Sequence, residues 1–228
     1  MRRGSESPTA TFVLIHGAGD VGWYWHLTAA ELRRRGHDVV APDLPCDDDS
    51  AGLFEYRDAV LDAIGDRSEL VVVAQSAGAF TAPLVCERRA VELLVLVAGL
   101  VPRPGEAGND WWSNTGYEPV HGDWSGDEAA TFYHDVPPEL AAEAQRRSRA
   151  QSDTPGAQPW PLTAWPDVPT RFLLCRDDRL LPPDFLRRVV GDRLGIVPDE
   201  IDAGHCVALS RPTELAECLD GYYAATLR

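Results

Sequence analysis

Short apolar runs rich in β-branched residues alternate with longer stretches of helical periodicity along most of the chain. The run at residues 69–74 is the clearest, because nearly all of it is apolar, as in a strand covered on both faces of a parallel sheet. The other predicted strands lie at residues 11–15, 37–41, 92–98, 170–175 and, at an edge of the sheet, 198–201. This alternation predicts an α/β fold: a mostly parallel central sheet with helices on both faces.

Helical patterns occupy most of the segments between the predicted strands. They lie at residues 55–64, 77–88 and 183–190, from Pro212 onward, and in a stretch that ends at Arg35 with Gly36 as its C-cap. The alternation stops between about residues 102 and 168, which hold five of the seven tryptophans and one clear helix, at residues 138–150. We predict a single domain over residues 1–228, with a core of about 9–101 and 169–228 and a small cap insertion of about 102–168.

The charge composition argues against several classes of binding partner and of catalytic mechanism. The formal net charge is -15, and all 21 basic residues are arginine. An acidic surface repels phosphate groups, so we expect neither nucleic acid nor a membrane as a partner. Because the chain has no lysine, it has no residue for a Schiff base. The five cysteines are widely spaced and odd in number, which argues against a disulfide framework or a zinc site.

The N-terminal residues are polar and lead directly into the first strand, without the apolar core of a secretory signal. No run reaches the roughly 18 apolar residues of a membrane-spanning helix. With the cysteine pattern, these features predict a soluble protein of the cytoplasm.

Ser76 lies between the most apolar strand and a predicted helix, with the small residues Ala74 and Gly78 two positions away on either side. This is the pattern of a nucleophile elbow, in which a sharp strand-to-helix turn exposes the serine hydroxyl, although Ala74 replaces the usual first glycine. Taken alone, the pattern is equally typical of a serine that only caps a helix. The catalytic interpretation depends on three further elements that follow the required order along the chain.

The first element is the turn at residues 16–19 (HGAG), directly after the first strand. The backbone amides of Ala18 and Ala77 are predicted to form an oxyanion hole, in which each donor is worth roughly 3 kcal/mol. The alternative is a glycine-rich turn that binds nothing. A dinucleotide site is disfavoured, because no G-x-G-x-x-G motif follows.

The other two elements are an acid and a histidine that each follow a predicted strand. Asp177 and Asp178 both lie just past residues 170–175, at the strand end where active groups gather in such sheets, and the residues alone do not separate them. His205 follows the last strand and precedes the last helix. Behind a serine and an aspartate in this chain order, it is predicted to be the general base.

Residues 16–25 (HGAGDVGWYW) resemble the opening motif of the plant methylesterase and hydroxynitrile lyase family and its bacterial relatives, within the α/β-hydrolase superfamily. Residues 132–135 (FYHD) are similar to the cap of that family. The resemblance implies the α/β-hydrolase fold and a Ser76–His205–Asp178 triad, because the family's acid stands four residues before a proline, here Pro182.

The departures from that family bear on the reaction. The lyases need a threonine after the first histidine and a lysine after the catalytic one, and this chain has Gly17 and Cys206 there. The resemblance therefore implies hydrolysis rather than lyase chemistry. Gln75 stands where the family commonly has histidine, and Ala79 where it commonly has glycine, so the hydrogen bonds behind the elbow are expected to differ.

These features predict a serine hydrolase that forms an acyl-enzyme and needs no metal or organic cofactor, most simply a carboxylesterase for small apolar or aromatic esters. Cleavage of carbon–carbon, thioester or amide bonds by the same triad stays open, as does a weakly catalytic binding protein of this fold. The predicted residues for the small-molecule substrate are Gly17, Trp23, Trp111, Trp112 and Phe132. Packing of the insertion onto the core is an equal alternative for the insertion aromatics, which also include Tyr117, Trp124, Tyr133, Trp160 and Trp165.

Overall fold

The computed structural model describes residues 9–118 and 128–228. Within these ranges, six parallel strands form one sheet in the order β2-β1-β3-β4-β5-β6. The strands are β1 (Thr11–Ile15), β2 (Asp38–Val40), β3 (Leu70–Gln75), β4 (Val91–Val97), β5 (Thr170–Cys175) and β6 (Asp199–Ile201). The predicted parallel α/β architecture is confirmed, and β6 lies at an edge as expected.

Helices follow most of the strands. In chain order they are α1 (His26–Arg34), α2 (Leu53–Ile64), α3 (Ala82–Cys86), α4 (Gly108–Asn114), α5 (Glu128–Phe132), α6 (Pro138–Arg147), α7 (Thr154–Ala157), α8 (Pro183–Leu194), α9 (Val207–Ser210) and α10 (Pro212–Thr226). Short 3-10 turns at Gly22–Trp25 and Ser76–Phe80 precede α1 and α3.

The side chains of β3 alternate between two buried layers. Val72 and Ala74 belong to one apolar cluster, which also holds residues of α2, α3 and α8. Val71 and Val73 belong to the other, with residues of α1 and α10. Because successive side chains of a strand point to opposite faces, this division means that helices cover both faces of the sheet. The central strands are therefore apolar throughout, as the sequence indicates.

The segment after Ser76 differs from the single helix predicted over residues 77–88. A 3-10 turn at Ser76–Phe80 is followed by the five-residue helix α3. Pro83 accounts for the break, because proline has no backbone N–H and its ring clashes with the carbonyl four residues earlier in a continuous α-helix. The first turn after the elbow is consequently tight and separate from α3.

The described part of residues 102–168 adds no strand to the sheet. It supplies α4 to α7, whereas the sequence predicts one clear helix there; α4, α5 and α7 are too short to show helical periodicity. An isolated antiparallel bridge joins Ala107 to Pro159. The exact boundaries of core and insertion stay a prediction. Across the two described ranges, no helix has the length and apolar character needed to cross a bilayer.

Candidate active site

Ser76 sits at the carboxyl end of β3 in a strained backbone conformation. Its φ angle is 51°, in the left-handed region that non-glycine residues seldom occupy. Such strain costs on the order of 1–3 kcal/mol and persists where the surrounding structure enforces it. A left-handed serine between a buried strand and a helical turn has the geometry of a nucleophile elbow.

Two glycines allow the chain to pack tightly around this serine. A Cβ atom on Gly17 would lie 2.5 Å from Gln75 Oε1 and 3.1 Å from Ser76 Cβ. A Cβ atom on Gly78 would lie 2.6 Å from the carbonyl oxygen of His16. The turn after β1 and the elbow after β3 therefore approach each other closely only because both positions lack side chains.

His205 and Asp178 form a buried pair at the same edge of the sheet. His205 Nδ1 donates a hydrogen bond of 2.7 Å to Asp178 Oδ2, and the two side chains are 4% and 0% exposed. Asp178 Oδ1 accepts the backbone N–H groups of Leu180 and Leu181 at 2.8 and 2.9 Å. With its proton on Nδ1, the imidazole keeps the lone pair on Nε2 for proton transfer.

The neighbouring carboxylate has a different environment. Asp177 is exposed, and its backbone N–H donates to the carbonyl oxygen of Ala203 at 3.0 Å. Of the two aspartates, only Asp178 is hydrogen-bonded to the His205 ring in the described part of the chain. The geometry thus separates two aspartates that composition leaves equivalent, in favour of the register that the family resemblance implies.

Gln75 links the elbow to the histidine loop. Its Nε2 donates to the carbonyl oxygen of His205 at 3.3 Å, and the side chain is buried. The residue directly before Ser76 therefore holds the backbone of the residue predicted to be its base.

His16 orients the turn that carries Ala18. Its Nδ1 donates to the Gly17 carbonyl oxygen at 2.8 Å, and its Nε2 accepts the Leu44 N–H at 3.0 Å. Burial lowers the pKa of His16 to about 4, so the ring is neutral at physiological pH. This role of His16 is not predicted from the sequence, where the residue stands only as part of the HGAG motif; its position at a strand end before Gly17 is the available signal.

The predicted oxyanion donors lie on either side of the serine. Ala18 and Ala77 line one cavity together with Ser76 and His205. Ala77 is the second residue of the Ser76–Phe80 turn, where a backbone N–H has no acceptor within the helix. In residues 9–118 and 128–228, no group accepts a hydrogen bond from the Ala18 N–H. The oxyanion hole stays a prediction, with both of its residues in the cavity wall.

This cavity has a volume of about 670 Å³ and a mixed lining. Three predicted substrate residues line it, Gly17, Trp112 and Phe132. The Phe132 ring also packs edge-on against the His205 ring, with 5.5 Å between their centroids. Tyr133, another insertion aromatic, lines the cavity as well. These residues bring the insertion to the predicted nucleophile.

The other predicted substrate residues do not line the cavity. Trp111 is fully buried in the core, where its Nε1 donates to the Val101 carbonyl oxygen at 2.8 Å. Trp23 stacks on His26 with 4.2 Å between ring centroids, and the Arg147 guanidinium lies 4.8 Å from its ring centroid. Both indole rings therefore make their contacts away from the cavity.

Packing also accounts for several other insertion aromatics. Trp160 is buried and donates its Nε1–H to the Phe80 carbonyl oxygen at 3.0 Å, and Trp165 stacks on it. Tyr117 donates its hydroxyl to the Leu180 carbonyl oxygen at 2.7 Å. Trp124 lies outside the described residues.

Asp20 is a cavity residue that sequence reasoning missed. It lines the cavity, and its Oδ1 accepts the Val21 N–H at 2.8 Å. Burial, helped by the nearby carboxylate of Asp43, raises the pKa of Asp20 to about 6. An acidic residue within the opening motif carries no sequence signal that separates a solvated side chain from a buried one.

A strained serine at the end of a central parallel strand lines one cavity together with a histidine that is hydrogen-bonded to a buried aspartate. This arrangement is the architecture of the α/β hydrolases. A profile of the Alpha/beta hydrolase family matches residues 12–218. Methylesterase 7 of Arabidopsis thaliana is 25% identical over 244 residues, covering 91% of this chain and 94% of its own. Norfluorocurarine synthase 1 of a Strychnos species is 22% identical over 248 residues, covering 91% and 93%.

Among solved structures, a pyrethroid hydrolase of Sphingobium faniae JZ-2 superposes with a TM-score of 0.79. It is 22% identical, and the match covers 96% of this chain and 98% of that one. At this identity the likeness establishes the fold alone. The chain belongs to the Alpha/beta hydrolase family, and it is a hydrolase with relatives that are named as esterases.

Proposed function

We propose that this chain is a serine hydrolase that cleaves carboxylic esters through an acyl-enzyme, with Ser76 as nucleophile, His205 as general base and Asp178 as the acid that orients it. The observation that carries the proposal is the 2.7 Å hydrogen bond from His205 Nδ1 to Asp178 Oδ2, because His205 lines the same cavity as the strained Ser76. A nucleophile, a base and a group that fixes the base's tautomer are the three parts of such a mechanism.

In the acylation step, Ser76 Oγ attacks the ester carbonyl carbon while its proton passes to His205 Nε2. The negative charge on the carbonyl oxygen is stabilised by hydrogen bonds from the Ala18 and Ala77 amides. Asp178 stabilises the imidazolium. The C–O bond to the alcohol then breaks, and Nε2 returns the proton to the leaving alkoxide.

In the deacylation step, a water molecule gives a proton to His205 Nε2 and attacks the acyl carbon. Collapse of the second tetrahedral intermediate breaks the bond to Ser76 Oγ, which takes the proton back. The products are a carboxylic acid and an alcohol. All proton transfers involve one imidazole nitrogen, so the reaction needs no metal or organic cofactor.

The cavity lining supports small apolar or aromatic esters as substrates. Apolar side chains form much of its wall, including those of Phe80, Leu100, Trp112, Phe132 and Leu180. Its volume of about 670 Å³ falls within the range of about 300–1,000 Å³ that is typical of sites for small molecules.

The residue after the base supports hydrolysis rather than lyase chemistry. Cys206 stands where a lyase needs lysine, and burial raises the pKa of its thiol well above the ordinary value. The thiol is therefore uncharged and offers no cation beside the imidazole. With no lysine anywhere in the chain, no other ammonium side chain takes that place.

The five cysteines are free thiols, two of them only partly buried. Unpaired cysteines are usual in proteins of a reducing compartment. This pattern supports the cytoplasm as the proposed location.

The proposal is tested with a matched panel of one acyl group: the 4-nitrophenyl ester, the thioester and the anilide of butyric acid. We expect the ester to give the highest kcat/KM, and Ser76→Ala to lower kcat by about 10⁴-fold or more. Ser113→Ala, at an exposed serine of α4, serves as the matched control and is expected to keep wild-type rates. An anilide preference, or ester turnover that survives Ser76→Ala, would contradict the proposal.

A further inference from the structure

Residues 132–135 of the insertion, here called the clamp segment, contact both loops that carry the proposed acid and base. Asp135 Oδ2 accepts the Gly204 N–H at 2.7 Å, and His134 Nε2 donates to the Asp177 carbonyl oxygen at 2.9 Å. Gly204 directly precedes His205, and Asp177 directly precedes Asp178. One short segment therefore holds the backbone next to both members of the buried pair.

The packing at this contact is as close as side chains allow. A Cβ atom on Gly204 would lie 2.6 Å from Asp135 Oδ1 and 2.7 Å from His134 Nε2. A larger residue at position 204 would therefore displace these two side chains from their present positions. The loop is thus fitted to these two side chains rather than merely adjacent to them.

The acid loop also reaches back to the insertion. Arg179, the residue after Asp178, donates its Nη1–H to the Ala130 carbonyl oxygen of α5 at 2.9 Å. The clamp segment begins at Phe132, the last residue of α5, and the Phe132 ring meets the His205 ring edge-on at 5.5 Å between centroids. Hydrogen bonds therefore run in both directions between the insertion and the two loops.

An aspartate at position 135 is unfavourable for stability if its only role is packing. Its Oδ1 is buried and has no hydrogen-bond partner in the described part of the chain. A buried polar atom without a partner destabilises a fold, so a neutral residue of similar size would fit a purely structural contact better. The carboxylate is instead suited to fix one backbone N–H through a short, charge-assisted hydrogen bond.

We propose, building on the function proposed above, that Asp135 is a positioning residue for His205 and that His134 is a positioning residue for Asp178. The triad then reaches its working geometry only when the insertion is seated on the two loops. Catalytic groups tolerate little displacement, since an error of about 1 Å costs on the order of 10²-fold in rate. Neither side chain takes part in proton transfer.

The test compares the variants Asp135→Ala and Asp135→Asn with wild type, on 4-nitrophenyl butyrate. Asp135→Ala removes the acceptor for the Gly204 N–H, and we expect kcat to fall about 10- to 100-fold while KM changes less than about threefold. Asp135→Asn keeps an amide oxygen in place of Oδ2, and we expect it to restore kcat to within about fivefold of wild type.

A parallel pair at His134 keeps the test valid if Asp135→Ala does not fold. His134→Ala removes the donor to the Asp177 carbonyl, whereas His134→Gln places an amide N–H near the position of Nε2. We expect a kcat loss in the alanine variant that the glutamine variant largely reverses. Asp167→Ala, at an exposed insertion residue, is the matched control and is expected to behave as wild type.

The rate and the final extent of Ser76 labelling by a fluorophosphonate separate the two proposals. Slow labelling that still reaches full extent in Asp135→Ala, with an unchanged unfolding midpoint, supports positioning. Losses that only follow the unfolded fraction, a change in KM alone, or no recovery in either conservative variant would overturn the clamp proposal. Failure of wild type to label at Ser76 would instead overturn the proposed function.

Discussion

The loops at the carboxyl edge of the sheet and the insertion between β4 and β5 contribute to the cavity in different ways. In the loops, backbone geometry fixes each group: Ser76 has a φ of 51°, and Asp178 is held by two backbone N–H groups. In the insertion, adjacent side chains have opposite surroundings. Trp111 is buried and bonded to Val101, whereas Trp112 lines the cavity. The loops thus hold the proposed catalytic residues in fixed positions. The insertion contributes some side chains to the cavity wall and others to the packed core.

The strongest prediction concerns the loops and uses the adjacent aspartates as a matched pair. Asp178→Asn leaves the His205 tautomer without its acceptor, and we expect kcat/KM to fall by about 10³- to 10⁴-fold. Asp177→Asn changes an exposed side chain whose contacts run through its backbone, and we expect less than a threefold change. Steady-state kinetics of both variants would contradict the assignment if the two losses were equal or reversed.

The second prediction asks whether adjacent insertion tryptophans differ as their surroundings indicate. Trp111→Ala opens a cavity in the core, and we expect it to lower the free energy of unfolding by about 3–5 kcal/mol. Trp112→Ala removes part of the cavity wall. We expect this variant to lose less stability than Trp111→Ala and to have a KM several times higher than wild type.

Denaturant unfolding and ester kinetics measure both quantities on the same two variants. Equal stability losses in the two variants, or a KM effect confined to Trp111→Ala, would contradict the assignment of Trp111 to the core and of Trp112 to the cavity wall.

The sheet and the positions of Ser76 and His205 are predicted from the sequence because their signals are local, whereas Asp178 is separated from Asp177 only by the family resemblance. β1 and β5 begin and end where the apolar runs do, and Ser76, Asp178 and His205 follow predicted strands. The sequence does not predict which insertion aromatics line the cavity and which are buried. Helices as short as α4 and α5 lack periodicity, and tertiary contacts decide which of their faces is covered. The burial of His16 and the partial burial of Asp20 depend on the same long-range packing.

The smallest effect is predicted for two titratable residues of the cavity wall, Asp20 and His16, and it concerns the pH dependence of stability. Burial raises the pKa of Asp20 from 3.8 to about 6, so the unfolded state loses this proton first as pH rises. The free energy of unfolding therefore falls between pH 4 and 6, by at most about 3 kcal/mol, and the loss persists above pH 6. Burial has the opposite consequence for His16, whose pKa falls from 6.5 to about 4.

For His16, the unfolded state takes up the proton first as pH falls, so stability is lost between pH 6.5 and 4. The two groups largely offset each other in wild type. Asp20→Asn removes one of them, and we expect the variant to gain about 1–3 kcal/mol at pH 8 and to lose stability more steeply on acidification. Chemical denaturation across this range would contradict the account if the difference between variant and wild type did not change with pH.

The central claim is that Ser76 is the nucleophile of an acyl-transfer site, and locating a covalent label tests it most directly. Wild type is treated with a fluorophosphonate, digested and analysed by peptide mass spectrometry, with Ser76→Ala treated in parallel. The account predicts one modified peptide, with the label on Ser76, and no label on the variant. A label on Ser148 or Ser152, which line the same cavity, or undiminished labelling of Ser76→Ala, would contradict it.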